Sequence, residues 1–400
     1  MELYVKSCIA KIKIFLMRKK IFHIIPTLAS GGAERQLVDV VCNTSNEKFS
    51  HTVCMLGQYE FFAPVLKQKG HEVINLNLSG KHPWLSAAKE IVPVIQKRQP
   101  DIIHSWLYDA HITARLSAVL TGLKIPLLAS LQNSDYEQET IVGGNWSPKK
   151  VEVLRLIDKF SARLSKPHFV ACSKFVASSY INKLRIEQSQ MSVIYNSVDP
   201  QTLICEPDEP QKIRHSLKIP ADGFVYINIG RLDPQKGQVY LLQAFQKVLR
   251  QVPQAYLVII GIGKLESSLK ELAKSLKIEH RVFFLGVRRD IGACLEMADV
   301  FVFPSLFEGL GVVLVEAMSK SIACVASRLE VLQEVIEDEV SGLLVTPKSD
   351  TELAEAMIKI YERDDLRDKL RWEGFRKAEA KFFSEMLMPE WEKLYLNVFA

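Results

Sequence analysis

The chain has no cysteines spaced for a disulfide framework or a zinc site. Its seven, Cys8, Cys42, Cys54, Cys172, Cys205, Cys294 and Cys324, are scattered, which suits a reducing cytoplasm. It also lacks an apolar run near the roughly 18 residues that read as a membrane span, any low-complexity tract and any clear internal repeat. Excess charge is scarce. The net charge is +5, and residues 1–20 hold all of it, with Lys6, Lys11, Lys13, Arg18, Lys19 and Lys20 against Glu2. Residues 21–400 therefore sum to zero. A nucleic-acid binder carries a broad basic face, so no nucleic-acid partner is expected.

The basic start, residues 1–19, has Leu3, Val5, Ile9, Ile12, Phe15 and Leu16 interleaved with its cations. Val5, Ile9, Ile12 and Leu16 fall on one helical stripe, a pattern suited to an anionic membrane surface, although Leu3 and Ile14 break it. Lys11 and Lys13 interrupt the apolar core that a secretory signal would need. Met17 opens a second natural start, Met-Arg-Lys-Lys-Ile-Phe-His-Ile-Ile-Pro. Residues 1–16 are therefore expected to be either a tail outside the fold or a membrane contact.

Length and composition set the scale. Four hundred residues, 48% apolar and 24% charged, suit a soluble protein of two domains. Strands and helices alternate. Ile21–Pro26, His51–Leu56, His71–Leu76, Asp101–His104, Pro126–Leu131, His168–Ser173 and Met191–Asn196 read as strands. Helices are expected at Ala33–Thr44, around Phe62–Gly70 and Leu85–Arg98, and at about Asp109–Thr121. The pattern breaks around Val198–Gln211, where Asp199-Pro200 and Glu206-Pro-Asp-Glu-Pro210 mark a linker. It then restarts with strands at Phe224–Gly230, Tyr256–Gly261, Phe283–Gly286, Val300–Phe303 and Ile322–Ala326. The fold class is α/β: two Rossmann-like, doubly wound parallel-sheet domains, 20–199 and 200–380. A ligand cleft is expected between the carboxyl ends of their strands.

Chemistry concentrates after the strands. Phe307-Glu308-Gly309-Leu310-Gly311-Val312 leads from strand Val300–Phe303 into a helix reaching about Lys320. Glu308 falls in the loop and Glu316 just over one turn into the helix, among Val312, Val313, Leu314, Val315, Ala317 and Met318. Two carboxylates so placed can accept hydrogen bonds from two polyol groups, and unpaired helix N–H groups favour an anion between them. The plainer alternative is one solvated loop acid and one helix-surface acid, but a carboxylate among apolar neighbours is costly unless paired.

Arg231 and Lys236 share the loop after the first strand of the second half. A planar fork and a point charge together suit a diphosphate, the alternative being two solvated cations. Gly261-Ile-Gly263 and Gly286-Val287-Arg288 follow two further strands, and the second could read a nucleobase edge through its backbone. Each is equally compatible with a plain turn.

In the first half, Gly31-Gly32 permits close approach of a phosphate at a helix N-terminus. His104 and Trp106 close a strand. A histidine there is either functional or a satisfied structural residue. Gln132 and Asn133 close the next strand and offer polar groups to an acceptor, or form an ordinary turn.

Together Gly31-Gly32-Ala-Glu-Arg35, Asp101-Ile-Ile-His104, Val193-Ile-Tyr-Asn196-Ser-Val-Asp199, Gly230-Arg231 to Lys236-Gly237, Phe284-Leu-Gly286 and the Glu308/Glu316 segment occur in one order from about residue 20 onward. This set resembles the GT-B glycosyltransferases of family 4, retaining enzymes that use nucleotide sugars. The resemblance implies that Arg231 and Lys236 hold the donor diphosphate, Glu308 meets the donor sugar and Glu316 the ribose. Gly32, Asn196, Gly263, Val287, Arg288, Gly309, Leu310, Gly311 and Val312 complete the donor site. Gly31, Trp106, Gln132 and Asn133 face the acceptor. Glu308, Arg231, Lys236 and His104 form the catalytic set. Many members have His or Arg where this chain has Gln132, so no catalytic role is carried to that position.

The resemblance further implies a helix within 381–400, near Met386–Phe399, that crosses back to the first domain. It implies no cofactor and no metal, in keeping with the lack of an Asp-x-Asp motif. The expected partners are a nucleotide-diphosphate sugar and a glycan or lipid-linked acceptor, at the inner face of the cytoplasmic membrane. The expected reaction moves a hexosyl or N-acetylhexosaminyl group during envelope polysaccharide or glycoconjugate synthesis. Two rivals remain at this point: a nucleotide-sugar epimerase on the same fold, and a non-catalytic sugar-nucleotide-binding subunit.

Overall fold

The computed structural model describes residues 18–78, 84–143 and 147–398. The stripe and cations of residues 1–16 lie outside them. The described residues form two compact units. One contains the chain up to Gln132, Lys149–Tyr195 and the chain from Ser384; the other contains Asn133–Pro148 and Asn196–Phe383.

The first unit is built on seven strands: β1 (Lys19–Ile25), β2 (Phe49–Met55), β3 (Glu72–Asn75), β4 (Ile102–Trp106), β5 (Leu127–Leu131), β6 (His168–Ala171) and β7 (Met191–Val193). All pair in parallel in the order β3-β2-β1-β4-β5-β6-β7. Such a sheet needs cover on both faces, and its central strands β1, β4 and β5 are accordingly buried along almost their whole length. One face packs Leu37, Val40 and Val41 of helix Gly32–Asn43, with Leu387, Met388 and Trp391 of helix Ser384–Asn397. The other packs Ala87, Ile91 and Ile95 of helix Trp84–Arg98, with Ala110 and Ala114 of helix Tyr108–Thr121. The C-terminal helix is pinned by polar bonds as well. Ser384 Oγ donates to Asp39 at 2.8 Å, and Glu392 accepts from the Ser45 backbone N–H at 2.8 Å and from Lys48 at 2.7 Å.

The second unit has six strands: β8 (Phe224–Ile229), β9 (Ala255–Ile260), β10 (Val282–Phe284), β11 (Val300–Phe303), β12 (Ala323–Ser327) and β13 (Leu343–Val345). They are again all parallel, in the order β10-β9-β8-β11-β12-β13. In both sheets the strand order reverses beside the first strand, between β1 and β4 and between β8 and β11. That is the switch point where an open sheet leaves room for a ligand.

Several elements were not foreseen. Strand β13, helices Pro148–Ser165, Lys174–Leu184, Asp350–Glu362 and Asp364–Phe382, and a helix at Glu209–Ser216 within the expected linker are all present. Pro210 is tolerated because it stands in the first turn of that last helix, where its missing N–H has no partner to lose.

Candidate functional site

In the second unit, three strand-to-helix loops interlock at the switch point, and glycine lets them approach. Gly237 has φ +66°, and a Cβ there would stand 2.1 Å from the carbonyl oxygen of Pro304 after β11. Gly261 has φ +133°, and its Cβ would stand 2.0 Å from the carbonyl of Gly230 after β8. Neither position admits a side chain.

Side chains complete the clamp. Gln235 accepts from Arg231 Nη2 at 2.9 Å and donates to the Phe307 carbonyl at 2.9 Å, while the Leu306 N–H donates to the Gln235 carbonyl at 2.7 Å. Gln238 donates to the Arg231 carbonyl at 3.0 Å, and Asn228 ties β8 to β11 by donating to Val302 at 2.8 Å. Gln235, Gln238 and Asn228 were missed in the sequence. Asn228 carried a signal, a lone amide in the otherwise apolar Phe-Val-Tyr-Ile-Asn-Ile strand.

This clamp brings Lys236 and Glu308 together. The Lys236 ammonium meets Glu308 Oε1 at 2.6 Å, with only 14% of the one side chain and 7% of the other exposed. Lys236 also lies 5.0 Å from the centre of the Phe303 ring. Removing either partner would leave the other charge poorly solvated, which is costly. Arg231 is different: its side chain is 69% exposed, and it pairs with Asp233 at 3.2 Å. A recess lined by Asp233, Pro234, Gln238, Leu265 and Leu306 opens beside the loop.

Glu316 is buried in the second turn of helix Val312–Ser319, whose N-cap is Gly311 at φ +87°. Gly309, Leu310 and Val312 belong to this entry, Gly263 follows β9, and Val287 and Arg288 follow β10. Arg288 donates through Nε to Asp290 at 2.9 Å, so that cation is already engaged. Asn196 is buried in this unit. Asn133, expected in the first domain, also belongs to it, because its segment's helix Gln138–Gly143 packs on the turn Pro234–Lys236.

The first unit places two of the expected site residues in its interior. His104 and Trp106 are fully buried. His104 meets Tyr395 Oη at 2.9 Å through Nδ1 and Ser130 Oγ at 2.7 Å through Nε2. Both ring nitrogens of His104 are therefore engaged inside this unit. Trp106 donates to His23 Nδ1 at 3.1 Å.

From Trp106 the bonds run on in a defined sequence. His23 Nδ1 accepts, so its Nε2–H donates to His51 Nδ1 at 2.9 Å. The His51 Nε2–H then donates to Thr44 Oγ1 at 2.9 Å, and Thr44 donates to the Val40 carbonyl at 2.7 Å. This chain leaves no room for an extra proton. Burial drives His23, His104 and His111 well below the usual imidazole range and His51 to about 3. Neighbouring histidines, which resist being charged together, add to the effect on His23, His51 and His104, and the Arg115 guanidinium adds to that on His111 against a hydrogen bond to the Ser130 backbone.

Gly31 is the N-cap of helix Gly32–Asn43, and the Glu34 carboxylate curls against it, so that a Cβ on Gly31 would meet Glu34 Oε2 at 2.2 Å. Gln132 is buried beyond β5. Among the described residues no helix is long and apolar enough to cross a membrane.

Comparison with known proteins agrees with this arrangement. The family described as Glycosyltransferase Family 4 matches residues 30–202, and that described as Glycosyl transferases group 1 matches residues 209–377. An uncharacterized glycosyltransferase of Methanocaldococcus jannaschii is 27% identical over 84% of this chain and 90% of its own length. The UDP-Gal:alpha-D-GlcNAc-diphosphoundecaprenol alpha-1,3-galactosyltransferase of Escherichia coli is 26% identical over 67% of this chain and 68% of its own. The crystal structure of Anabaena HepE in complex with UDP-glucose superposes with a TM-score of 0.82 at 22% identity, covering 94% of this chain and 99% of that one. The chain is a glycosyltransferase of GT-B fold and belongs to family 4.

Proposed function

We propose that this enzyme is a retaining, metal-independent transferase. It moves a hexosyl or N-acetylhexosaminyl group from a nucleotide-diphosphate sugar to a glycan or lipid-linked acceptor of the cell envelope, at the cytoplasmic membrane face. The observation that carries the reading is the Lys236–Glu308 pair held at the β8/β11 switch point beside Arg231. A bound donor would set its diphosphate against Lys236 and Arg231 and its sugar hydroxyls against Glu308, with Glu316 toward the ribose. As the bond from C1 to the diphosphate oxygen breaks, the two cations and the N-terminus of helix Val312–Ser319 stabilise the charge left on the phosphate. The acceptor oxygen bonds to C1 from the same face and gives its proton to the departing phosphate. His104 has no part in this step. The E. coli relative's name, with its UDP-linked donor, diphosphoundecaprenol-linked acceptor and alpha linkage, supports the substrate classes.

The test is a panel of nucleotide sugars read by thermal shift. Mass spectrometry of lipid-linked products and the anomeric configuration by NMR would follow, with and without EDTA. Retained configuration and turnover in EDTA are expected. An inverted product or an absolute requirement for a divalent ion would overturn the reading. So would formation of a new sugar nucleotide from donor alone, which would identify an epimerase.

A further inference from the structure

Helix Pro148–Ser165 carries an apolar stripe on the side facing away from the fold. Val153, Leu156, Phe160 and Leu164, spaced three, four and four residues apart, are 56%, 51%, 66% and 67% exposed. That spacing puts all four on one face. A contiguous row of large exposed apolar side chains is unusual on a soluble surface.

The helix cannot roll to hide the row, because polar bonds fix its opposite side. Asp158 and Arg115 form an ion pair, both nearly fully buried, and Arg115 also donates to Ser161 at 2.9 Å. Tyr108 donates to the Leu154 carbonyl at 2.9 Å, and Arg155 to the Lys183 carbonyl at 2.6 Å.

Cations border the row. Residues 148–166 contain Lys149, Lys150, Lys159, Arg163 and Lys166, besides the Arg155 that pins the other side, against Glu152 and the buried Asp158. Glu152 is held by Arg155 at 2.8 Å. Positive charge gathers here from neighbouring elements too. The Lys159 ammonium is held below its usual range by partial loss of solvent and by Arg185, Arg163 and Arg155, only partly offset by Glu152.

We infer that this helix is an interfacial membrane-binding surface, its apolar row entering the headgroup boundary of an anionic bilayer while the flanking lysines and arginines meet lipid phosphates. A bare apolar row would fit a second copy of the chain equally well. The cationic border decides against that partner, because a second copy would bring the same positive charge to the contact. The inference extends the proposed use of a lipid-linked acceptor and assigns membrane contact to a folded surface instead of residues 1–16.

The experiment is vesicle co-sedimentation of the full chain with equal parts phosphatidylglycerol and phosphatidylcholine, and with phosphatidylcholine alone, at about 0.1 M salt. The full chain should bind the anionic vesicles preferentially. Leu156→Ser/Phe160→Ser should weaken that binding at least tenfold. Lys159→Gln/Arg163→Gln should weaken it about fivefold per cation removed, the factor that about 1 kcal/mol per cation represents. Deleting residues 1–16 should leave most of it. Both double variants should keep nucleotide-sugar binding by thermal shift, so a failed donor panel would count against the proposed reaction and not against this surface. Equal sedimentation of the serine variant and the parent would overturn the inference, as would loss of binding on deleting residues 1–16 alone. A concentration-dependent dimer abolished by Phe160→Ser would assign the row to a second copy and overturn it too.

Discussion

The two units use one architecture for opposite ends. Each has a parallel sheet with its order reversing beside the first strand, and each gathers polar side chains about that reversal. In the second unit these are ions: Lys236 and Glu308 are paired, and Arg231 is mostly exposed. In the first they are neutral rings on the strands themselves, His23, His51 and His104, buried and bonded in sequence from Trp106 to Thr44 and from Tyr395 to Ser130. The difference lies in position along the strand. A residue in the loop past the last strand residue can reach a ligand. A residue inside the strand is covered by the helices that every parallel sheet requires.

If that distinction is right, the first unit should be acid-sensitive. Its buried histidines have folded pKa values below the unfolded value, so above about pH 6.5 both states are neutral and nothing is lost. As pH falls through about 6.5 the unfolded chain takes up protons that the folded chain refuses. Stability then drops by about 1.4 kcal/mol per pH unit for each such histidine, His23, His51, His104 and His111 alike. For His51 the loss continues down to about pH 3. Urea titrations followed by tryptophan fluorescence should show a midpoint falling steeply from pH 6.5 to 5, since Trp106 and Trp391 lie against His104. A flat midpoint would mean that these rings are not held neutral.

The ions of the second unit should govern turnover instead. Glu308→Ala is expected to lower turnover by roughly 10²–10³-fold, the range for a lost transition-state contact, with the protein still folded by circular dichroism. Near-normal turnover would remove Glu308 from the site. Lys236→Ala and Arg231→Ala should each weaken binding of a nucleoside diphosphate by about 1.5–3 kcal/mol, and binding of the bare nucleoside hardly at all. Calorimetry showing equal losses for both ligands would refute a phosphate role. The two variants should part in stability: Lys236→Ala strands a buried carboxylate and lowers the melting temperature, while Arg231→Ala gives up one hydrogen bond to Gln235 and a surface ion pair and lowers it less.

How far the sequence could be read follows the same line. The βα alternation was legible because buried parallel strands are short apolar runs bounded by turn residues, as in Tyr256–Ile260 and Val300–Phe303. Helix Asp364–Phe382 was not, because it is strongly polar, with no well-marked apolar face to give it a period. The loops carrying Arg231, Lys236 and Glu308 could be located, since these residues stand beside glycines after strands. Their pairing could not, because it joins residues 72 positions apart through the Pro304 and Gln235 backbones. The burial of His104 was hidden for a related reason. Ile-Ile-His reads as a strand end, but β4 runs on to Trp106, and the ring's partner Tyr395 lies 291 residues away.

The smallest effect belongs to that partner. Tyr395→Phe removes one hydroxyl and keeps the ring that packs against Phe49 and Trp391. His104 loses one of two hydrogen bonds, a cost of about 1 kcal/mol, seen as a small drop in the urea midpoint at pH 7.5. Donor turnover should stay within twofold of the parent, because no step of the proposed reaction passes through His104. The opposite pattern, an unchanged midpoint with turnover down tenfold or more, would break the comparison between the units. It would mean that orientation of this ring matters to the chemistry and would return His104 to the catalytic set.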